Sequence, residues 1–214
     1  MIKSVYIGVC TFRRRSLFQT LDSLQSLVRP DGVELTVVVS DNDDTPELAA
    51  AVQAYGERSG LKIAYVHAPA RNISIARNAC LNAAQGDFLA FLADDEIADP
   101  NWIAQLLETA ERSGAGVVLG PAVARYPETA PLWMRENDFH SNRPAPRVDV
   151  VETGFSSKVL LDLRDPRDAD ARFDLAPVGD KIYTTRLVNH DQVVQLAPGL
   201  EFDPFPIAHS QIEQ

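Results

Sequence analysis

The first 120 residues alternate between two hydrophobic periodicities, and this alternation constrains the fold more than any other feature. Short apolar runs rich in Val, Ile and Phe indicate strands, whereas apolar residues repeated every three or four positions indicate helices. The predicted strands cover residues 4–10, 35–40, 62–67, 88–93 and 117–119. Each is followed by a helical pattern or by a turn. Strands that alternate with helices in this way predict a mostly parallel, doubly wound α/β sheet.

Short local signals predict where the helices begin and end. Residues 16–19 (SLFQ) match a capping box at the start of the first helix. Thr45 followed by Pro46 matches an N-cap and a first-turn proline for the second helix. The third helix is predicted over residues 74–85, with Gly86 ending it, and a fourth begins at Asp99.

The organisation changes after Pro121. Residues 121–150 are rich in proline and show little periodicity, which predicts a long irregular connection, and such loops are often functional. Farther along, the patterns are weaker. They predict an apolar segment over residues 159–163, a helix over 181–189 and a strand over 192–197.

Composition excludes several classes of function. The chain is 45% hydrophobic and 23% charged, ordinary values for a globular protein, and its net charge of −10 argues against general nucleic-acid binding. The N-terminus shows no signal-peptide pattern, and no apolar stretch is long enough to span a membrane, so a cytoplasmic location is expected. Cys10 and Cys80 lie in apolar segments and are predicted to be free core residues.

The segment FLAFLADDE, residues 88–96, is the strongest chemical signal. Its uncharged part reads as a buried strand, so Asp94, Asp95 and Glu96 should lie just beyond the strand's carboxyl end. Ligands bind at that edge of open α/β sheets. Clustered carboxylates there suit a hard divalent cation, which often accompanies a phosphate-bearing substrate. A solvated acidic turn before a helix cap explains the segment equally well, and the segment alone leaves both open.

Two other strands also end in polar residues. The first is followed by residues 11–14 (TFRR) and the second by residues 41–43 (DND), and together with the acidic segment these groups suit a nucleotide. No G-x-G-x-x-G or phosphate-binding P-loop pattern is present, which disfavours a dinucleotide or P-loop site. Asp43 and Asp44 are predicted to be solvated loop residues.

Several motifs occur in one order along the chain. They are Val9–Arg14 (VCTFRR), Ser40–Asn42 (SDN), Arg71–Asn72 with Ala76–Asn78, Phe91–Glu96 with Pro100–Trp102, Gly120–Pro121, and Phe173–Asp174. In this order the chain resembles family 2 glycosyltransferases of the GT-A fold, over roughly residues 3–190. The resemblance is strongest to bacterial enzymes that build exopolysaccharide or lipopolysaccharide glycans.

The resemblance implies an inverting transferase that moves a sugar from a nucleotide-sugar, with a UDP-sugar favoured, to a glycan or lipid-linked acceptor. It implies Mn²⁺ or Mg²⁺ as cofactor and a cytoplasmic protein that associates peripherally with the inner face of the membrane. Residues 1–120 would form the nucleotide-sugar-binding half. Residues 121–214 would form the acceptor-binding and catalytic-base part of the same domain.

The resemblance also implies roles for individual residues. It assigns the base pocket to Thr11, Phe12 and Asp41, the diphosphate to Arg14, Arg71 and Arg77, the ribose to Asp94, and the metal to Asp95. The family usually has three consecutive aspartates here, and Ala93 takes the first place in this chain. A late histidine often binds the metal in this fold, which points to His209, with an exposed tail histidine as the alternative.

The implied catalytic base is Asp180. In the family the base is the aspartate of a Glu-Asp pair that precedes a helix carrying Arg-Leu, and Asp180 precedes Arg186–Leu187 at the matching distance. Gly179 replaces the usual glutamate. Burial of a lone carboxylate raises its pKa toward neutrality, which favours base catalysis near pH 7.

Two other functions remain open at this stage. A sugar nucleotidyltransferase would need a glycine-rich, basic loop after the first strand, and residues 8–12 are poor in glycine. A catalytically impaired relative that binds nucleotide or glycan is the other alternative, motivated by Ala93 and Gly179.

Overall fold

The computed structural model describes residues 2–141, 157–165, 172–173, 175, 187–188 and 194–196. Its strands are β1 Lys3–Thr11, β2 Val33–Asp41, β3 Ile63–His67, β4 Phe88–Ala93, β5 Val117–Leu119, β6 Val159–Asp162, β7 Arg172–Phe173, β8 Leu187–Val188 and β9 Val194–Leu196. Its helices are α1 Leu17–Gln25, α2 Ala49–Ser59, α3 Ile73–Ala83, α4 Trp102–Ser113 and α5 Leu132–Asn137.

The sheet is mostly parallel, as predicted. Its strand order is β3-β2-β1-β4-β6-β5-β9, in which only β6 runs antiparallel to its neighbours, among the strands that the structure describes. The register aligns the carboxyl ends of the central strands: Thr11 lies beside Asp41, and Cys10 lies beside Ala93. Polar residues that follow these strands therefore meet at one edge. β7 and β8 form a separate antiparallel pair.

Helices cover both faces of the sheet, which makes it doubly wound. One face of β1 presents Val5, Ile7 and Val9 to a core that includes residues of α1, α2 and α4. The opposite face packs against α3, where Cys80 contacts a second core containing Phe91. Trp102, the first residue of α4, is fully buried in the first of these cores.

The predicted helix starts were only partly correct. Ser16 makes no side-chain capping bond, so the predicted capping box is wrong. The second helix begins at Ala49 rather than at Thr45–Pro46, because Pro46 contributes its carbonyl to the turn that precedes the helix.

The third helix is close to its predicted position, but its caps differ. Its N-cap is Asn72, whose side chain accepts bonds from the backbone of Ser74 and Ile75. Gly86 is not the left-handed residue that was predicted to end the helix. It is needed because a Cβ there would lie 2.7 Å from the Tyr6 ring and 2.8 Å from the Ser4 carbonyl oxygen.

The second half of the chain corrects two expectations. The irregular connection contains the short helix α5, which begins directly after Pro131. Proline is tolerated at the start of a helix because its missing N–H would have no partner there. The helix predicted over residues 181–189 is wrong at its described end, because Leu187–Val188 forms a strand with Arg172–Phe173. The predicted strand over residues 192–197 is confirmed as β9.

The two cysteines are free thiols, as predicted, with their sulfur atoms 3.9 Å apart. In the part of the chain that the structure describes, no helix has the length and apolar character needed to span a membrane.

Candidate functional site

A cavity of about 600 Å³ lies at the carboxyl ends of β1 and β4. Its wall combines apolar, acidic and basic side chains from five separate chain segments. The lining residues are Cys10, Thr11, Phe12, Arg14, Asn42, Arg71, Ile73, Arg77, Phe91, Leu92, Ala93, Asp94, Asp95 and Ser157. Seven of the predicted donor-site residues are among them, so the fold brings together side chains that are far apart in sequence.

The two acids after β4 have different environments. Asp94 is 6% exposed, and its Oδ2 accepts a 2.7 Å hydrogen bond from the Thr11 hydroxyl. Burial raises the pKa of Asp94 to about 6, although the Thr11 bond and the nearby Arg14 oppose the change. Asp95 is exposed, and its carboxylate pairs with the Arg14 guanidinium. The turn therefore presents one buried and one accessible carboxylate to the cavity.

Three arginines surround the cavity. Arg14 follows β1, and its Nη1 lies 3.7 Å from Asp94 Oδ1. Arg71 follows β3, and Arg77 projects from α3 with its guanidinium 5.6 Å from the centre of the Phe173 ring. Planar guanidinium groups suit bidentate binding of phosphate oxygens. The cavity thus has cationic groups for an anionic ligand beside carboxylates for a cation.

Asp41 does not line this cavity. It is completely buried, and its two oxygens already accept bonds from the Tyr65 hydroxyl at 2.6 Å and from the Asp43 amide at 3.0 Å. Its predicted contact with a nucleotide base therefore stays a prediction. The neighbouring Asn42 does line the cavity. Its backbone N–H donates to the Thr11 carbonyl at 2.9 Å, which joins the ends of β1 and β2.

Asp43 and Asp44 lie in a loop, as predicted, and Asp44 is exposed, but Asp43 is buried rather than solvated. Arg13 Nε donates to Asp43 Oδ2 at 2.8 Å, and Arg71 Nε donates to Asp44 Oδ1 at 3.1 Å. These bonds hold the pKa of each carboxyl below its usual range. Both arginines have left-handed backbones, with φ of 56° and 48°, which L-residues rarely adopt. The paired acids thus join the loops that follow β1, β2 and β3.

Sequence reasoning missed part of the cavity wall. Ile73 and Ser157 line it, but neither belongs to a motif, and Cys10 lies in a motif that assigned it no ligand contact. Asn42 had a signal, since it directly follows Asp41 in the motif at the end of β2. Asp180 and His209 lie outside the described residues, and their assigned roles stay predictions.

Asp94 and Asp95 are the candidate ligands for a divalent cation. No group of three or more His, Cys, Asp or Glu side chains is placed to hold a metal within the described ranges. Mg²⁺ is commonly held by one or two carboxylates together with substrate phosphates rather than by an all-protein cage. Asp95 is accessible and Asp94 adjoins it, so their oxygen donors fit a cation that the ligand would help to coordinate.

The fold and cavity together define a class of protein. A GT-A-like doubly wound sheet carries acids and arginines at its ligand-binding edge. The chain matches the model of Glycosyl transferase family 2 over residues 6–187 and belongs to that family.

Sequence and structural relatives agree with this placement. The succinoglycan biosynthesis protein ExoM of Rhizobium meliloti is 48% identical over 155 residues, covering 72% of this chain and 50% of ExoM. The chain thus spans about half the length of the curated relatives it matches.

Two solved structures share the fold. S. aureus TarS, in complex with UDP-GlcNAc, has a TM-score of 0.66 and 15% identity, covering 93% of this chain and 57% of TarS. The mannosyltransferase PcManGT of Pyrobaculum calidifontis, in complex with GDP-Man and Mn²⁺, has a TM-score of 0.61 and 18% identity, covering 92% and 57%. At these identities the likeness establishes the fold alone.

Proposed function

We propose that this chain provides the donor-binding and catalytic part of an inverting glycosyltransferase in surface polysaccharide synthesis. It would transfer a sugar from a nucleotide-sugar to a glycan or lipid-linked acceptor. The observation that carries the proposal is the single cavity in which Thr11, Asp94 and Asp95 meet three arginines. Family membership and the 48% identity to ExoM support it.

The cavity offers a complete set of groups for a nucleoside diphosphate. The Phe12 ring, which is 38% exposed, provides an apolar surface beside a base. Asp94 can accept hydrogen bonds from ribose hydroxyls, and its bond from Thr11 fixes the carboxylate orientation. Arg71 and Arg77 lie where their guanidinium groups can neutralise phosphate oxygens. We propose a UDP-sugar as the donor, which accords with the UDP-GlcNAc bound by TarS.

A divalent cation is proposed to complete the diphosphate site, held by Asp95 with Asp94 beside it. When bound, Mn²⁺ or Mg²⁺ would neutralise negative charge that develops on the leaving diphosphate. PcManGT, which shares the fold, was solved with Mn²⁺. Arg14 already neutralises Asp95 in this structure and would have to release it or share it with the cation.

Asp180 is proposed to remove the proton from the acceptor hydroxyl as that oxygen attacks the anomeric carbon. Attack from the face opposite the leaving diphosphate inverts the configuration at that carbon. This role rests on the match between residues 179–187 and the family motif. Asp180→Asn should therefore keep donor affinity and abolish transfer. Retained turnover in that variant would reject Asp180 as the base.

A binding screen tests the proposal directly. UDP, GDP and dTDP, and a sugar conjugate of each, would be titrated by calorimetry with Mn²⁺, with Mg²⁺ and with EDTA. We expect UDP and a UDP-sugar to bind most tightly, and metal to raise the affinity. Tighter binding of GDP would overturn the donor assignment. Absence of nucleotide binding under all conditions would overturn the function. Nucleotide binding without transfer to a panel of glycan and lipid-linked acceptors would favour an impaired binding protein.

A further inference from the structure

The acidic segment after β4 folds into a tight turn that is closed by Glu96. The Glu96 amide donates to the Ala93 carbonyl at 3.2 Å, and the Glu96 side chain accepts from the Ala93 amide at 3.1 Å. Both the amide and the carbonyl of Ala93 are thus hydrogen-bonded to Glu96. Asp94 and Asp95 form the two central positions of this turn, so their directions depend on its geometry.

A lysine from a distant part of the chain holds Glu96 in place. Lys158 Nζ pairs with Glu96 Oε1, and the side chains are only 8% and 22% exposed. Lysine is rarely buried unless it is paired. No other described residue pairs with Glu96 in an ion pair, so this contact accounts for the placement of its carboxylate.

The backbone of Lys158 is fixed as firmly as its side chain. Its amide donates to the Phe91 carbonyl at 2.7 Å, and its carbonyl accepts from the Gly120 amide at 2.8 Å. Its φ of 68° lies in the left-handed region, which is unfavourable for an L-residue. A strained backbone persists only where surrounding contacts determine it. These bonds join β4, β5 and the start of β6 directly behind the cavity.

We propose that Lys158 and Glu96 are positioning residues for the donor's diphosphate site. The ion pair holds the Ala93–Glu96 turn so that Asp94 is directed toward Thr11 and Asp95 toward the cation and diphosphate. It also withdraws the third negative charge of the segment from the cavity. This inference rests on the proposed function, because the diphosphate and the cation are its ligands. Neither residue is a lining residue of the cavity.

Electrostatics gives the reason for such a pair. Three successive carboxylates repel one another, and an unpaired Glu96 would be free to turn toward a bound cation or toward Asp95. A charge-assisted hydrogen bond is about twice as strong as a neutral one. Lys158 therefore keeps Glu96 bonded to Ala93 and leaves the two aspartates to face the ligand.

The test uses Lys158→Met, Glu96→Gln and the double variant. Lys3→Met and Glu111→Gln are the matched controls, because they remove an exposed ion pair at the start of β1, the end of the sheet opposite the turn. Each protein is titrated with UDP or GDP, whichever the wild type binds, with Mn²⁺ and with EDTA. Hydrogen exchange at the Ala93 amide is measured without ligand, and thermal unfolding is recorded in parallel.

In Lys158→Met we expect the gain in nucleotide affinity due to Mn²⁺ to fall about tenfold, and Ala93 exchange to accelerate about tenfold. The single variant leaves one buried charge unpaired and should lower the melting temperature. The double variant removes both charges, so its melting temperature should recover. Its Mn²⁺ effect should stay reduced and its Ala93 exchange fast, since no ion pair then holds the side chain at position 96 against the turn.

Two results would overturn the inference. One is a lower melting temperature with an Mn²⁺ effect and Ala93 exchange equal to those of Lys3→Met, which would make the pair purely structural. The other is recovery of the Mn²⁺ effect in step with stability in the double variant. If the wild type binds no nucleotide, the proposed function fails. Ala93 exchange still decides then: acceleration supports the anchored turn, and unchanged exchange rejects it.

Discussion

An aspartate lies at each end of strand β4, and the pKa values of the two are changed in opposite directions. Asp87 precedes the strand, and its Oδ2 accepts bonds from the backbone amide and the hydroxyl of Ser4, at 2.8 Å and 3.1 Å. These bonds hold its pKa below the usual range. Asp94 follows the strand, and burial raises its pKa to about 6. The same residue type is thus stabilised as an anion at one end and destabilised at the other.

The difference separates a stabilising end of the sheet from a ligand-binding end. The Asp87 carboxylate is hydrogen-bonded by Ser4 within the protein, and the adjacent Gly86 packs against Tyr6. Around Asp94 the chain keeps an unfavourable buried carboxylate next to a cavity. Functional sites commonly retain such local costs.

The largest effect is expected for Asp95→Asn at the ligand-binding end. Removing the accessible carboxylate should lower the rate of sugar transfer by roughly 100-fold or more, because Asp95 is proposed to hold the cation that would neutralise the leaving diphosphate. Thermal stability should hardly change, since Asp95 is exposed. Transfer is measured with saturating donor and Mn²⁺.

Asp31→Asn is the matched control for this substitution, because Asp31 is an exposed acid before β2, at the stabilising end. It should retain wild-type transfer. Equal activity in the two variants would argue against a metal role for Asp95.

Gly86→Ala tests packing at the stabilising end. The new Cβ would lie 2.7 Å from the Tyr6 ring and 2.8 Å from the Ser4 carbonyl oxygen, so the chain must shift. We expect a loss of about 1–3 kcal/mol in the free energy of unfolding, measured with urea. Nucleotide affinity should be unchanged.

Gly56→Ala provides the comparison for Gly86→Ala. Its added Cβ would meet nothing closer than 3.4 Å, and the residue lies inside helix α2. Alanine favours a helix over glycine, so this variant should equal or exceed wild-type stability. A similar loss in both variants would contradict the packing explanation.

Asp94→Asn should stabilise the metal-free protein while weakening nucleotide binding. A folded-state pKa of about 6 against 3.8 means that the wild type loses stability as pH rises between these values. The advantage of the variant should therefore grow from pH 4 to pH 6 and stay constant above, at about 2 kcal/mol. Urea unfolding with EDTA at several pH values measures it, and an advantage independent of pH would contradict this account.

Asp87→Asn should have the smallest effect and the opposite sign. Because the pKa of Asp87 is lowered on folding, its contribution is present above the unfolded pKa near 3.8 and is lost as pH falls further. The amide oxygen of Asn can still accept from Ser4, so we expect a loss of only ~1 kcal/mol at pH 7. The loss should shrink as pH falls below 3.8, and nucleotide affinity should be unaffected. A stability gain at pH 7 would contradict the contrast between the two ends.

Much of the fold was predictable because it depends on local periodicity. The bounds of β4 and β5 agree with the apolar runs, since a strand buried on both faces must be apolar throughout. The failures involve contacts between distant residues. Leu187–Val188 is a strand because Arg172–Phe173 lies beside it, and Asp43 is not solvated because it pairs with Arg13 from the loop after β1.

The candidate site was predictable as a set of residues but not as a geometry. Family motifs selected Thr11, Asp94 and Asp95, and all three line one cavity. No motif selected Lys158, whose partner Glu96 lies 62 positions away in the chain. The buried position of Asp41, bonded to Tyr65, was equally invisible, because burial depends on what packs above a residue.

The sequence by itself determined a doubly wound α/β sheet and an acidic segment at the carboxyl end of its fourth strand. Hydrophobic periodicity and strand direction are sufficient for both. The surroundings of each acid in this segment depend on the tertiary structure. Asp94 is buried against Thr11, Asp95 faces solvent and Arg14, and Glu96 is withdrawn by Lys158. These neighbours come from other strands and loops, and the charge state and direction of a carboxylate depend on its neighbours in space.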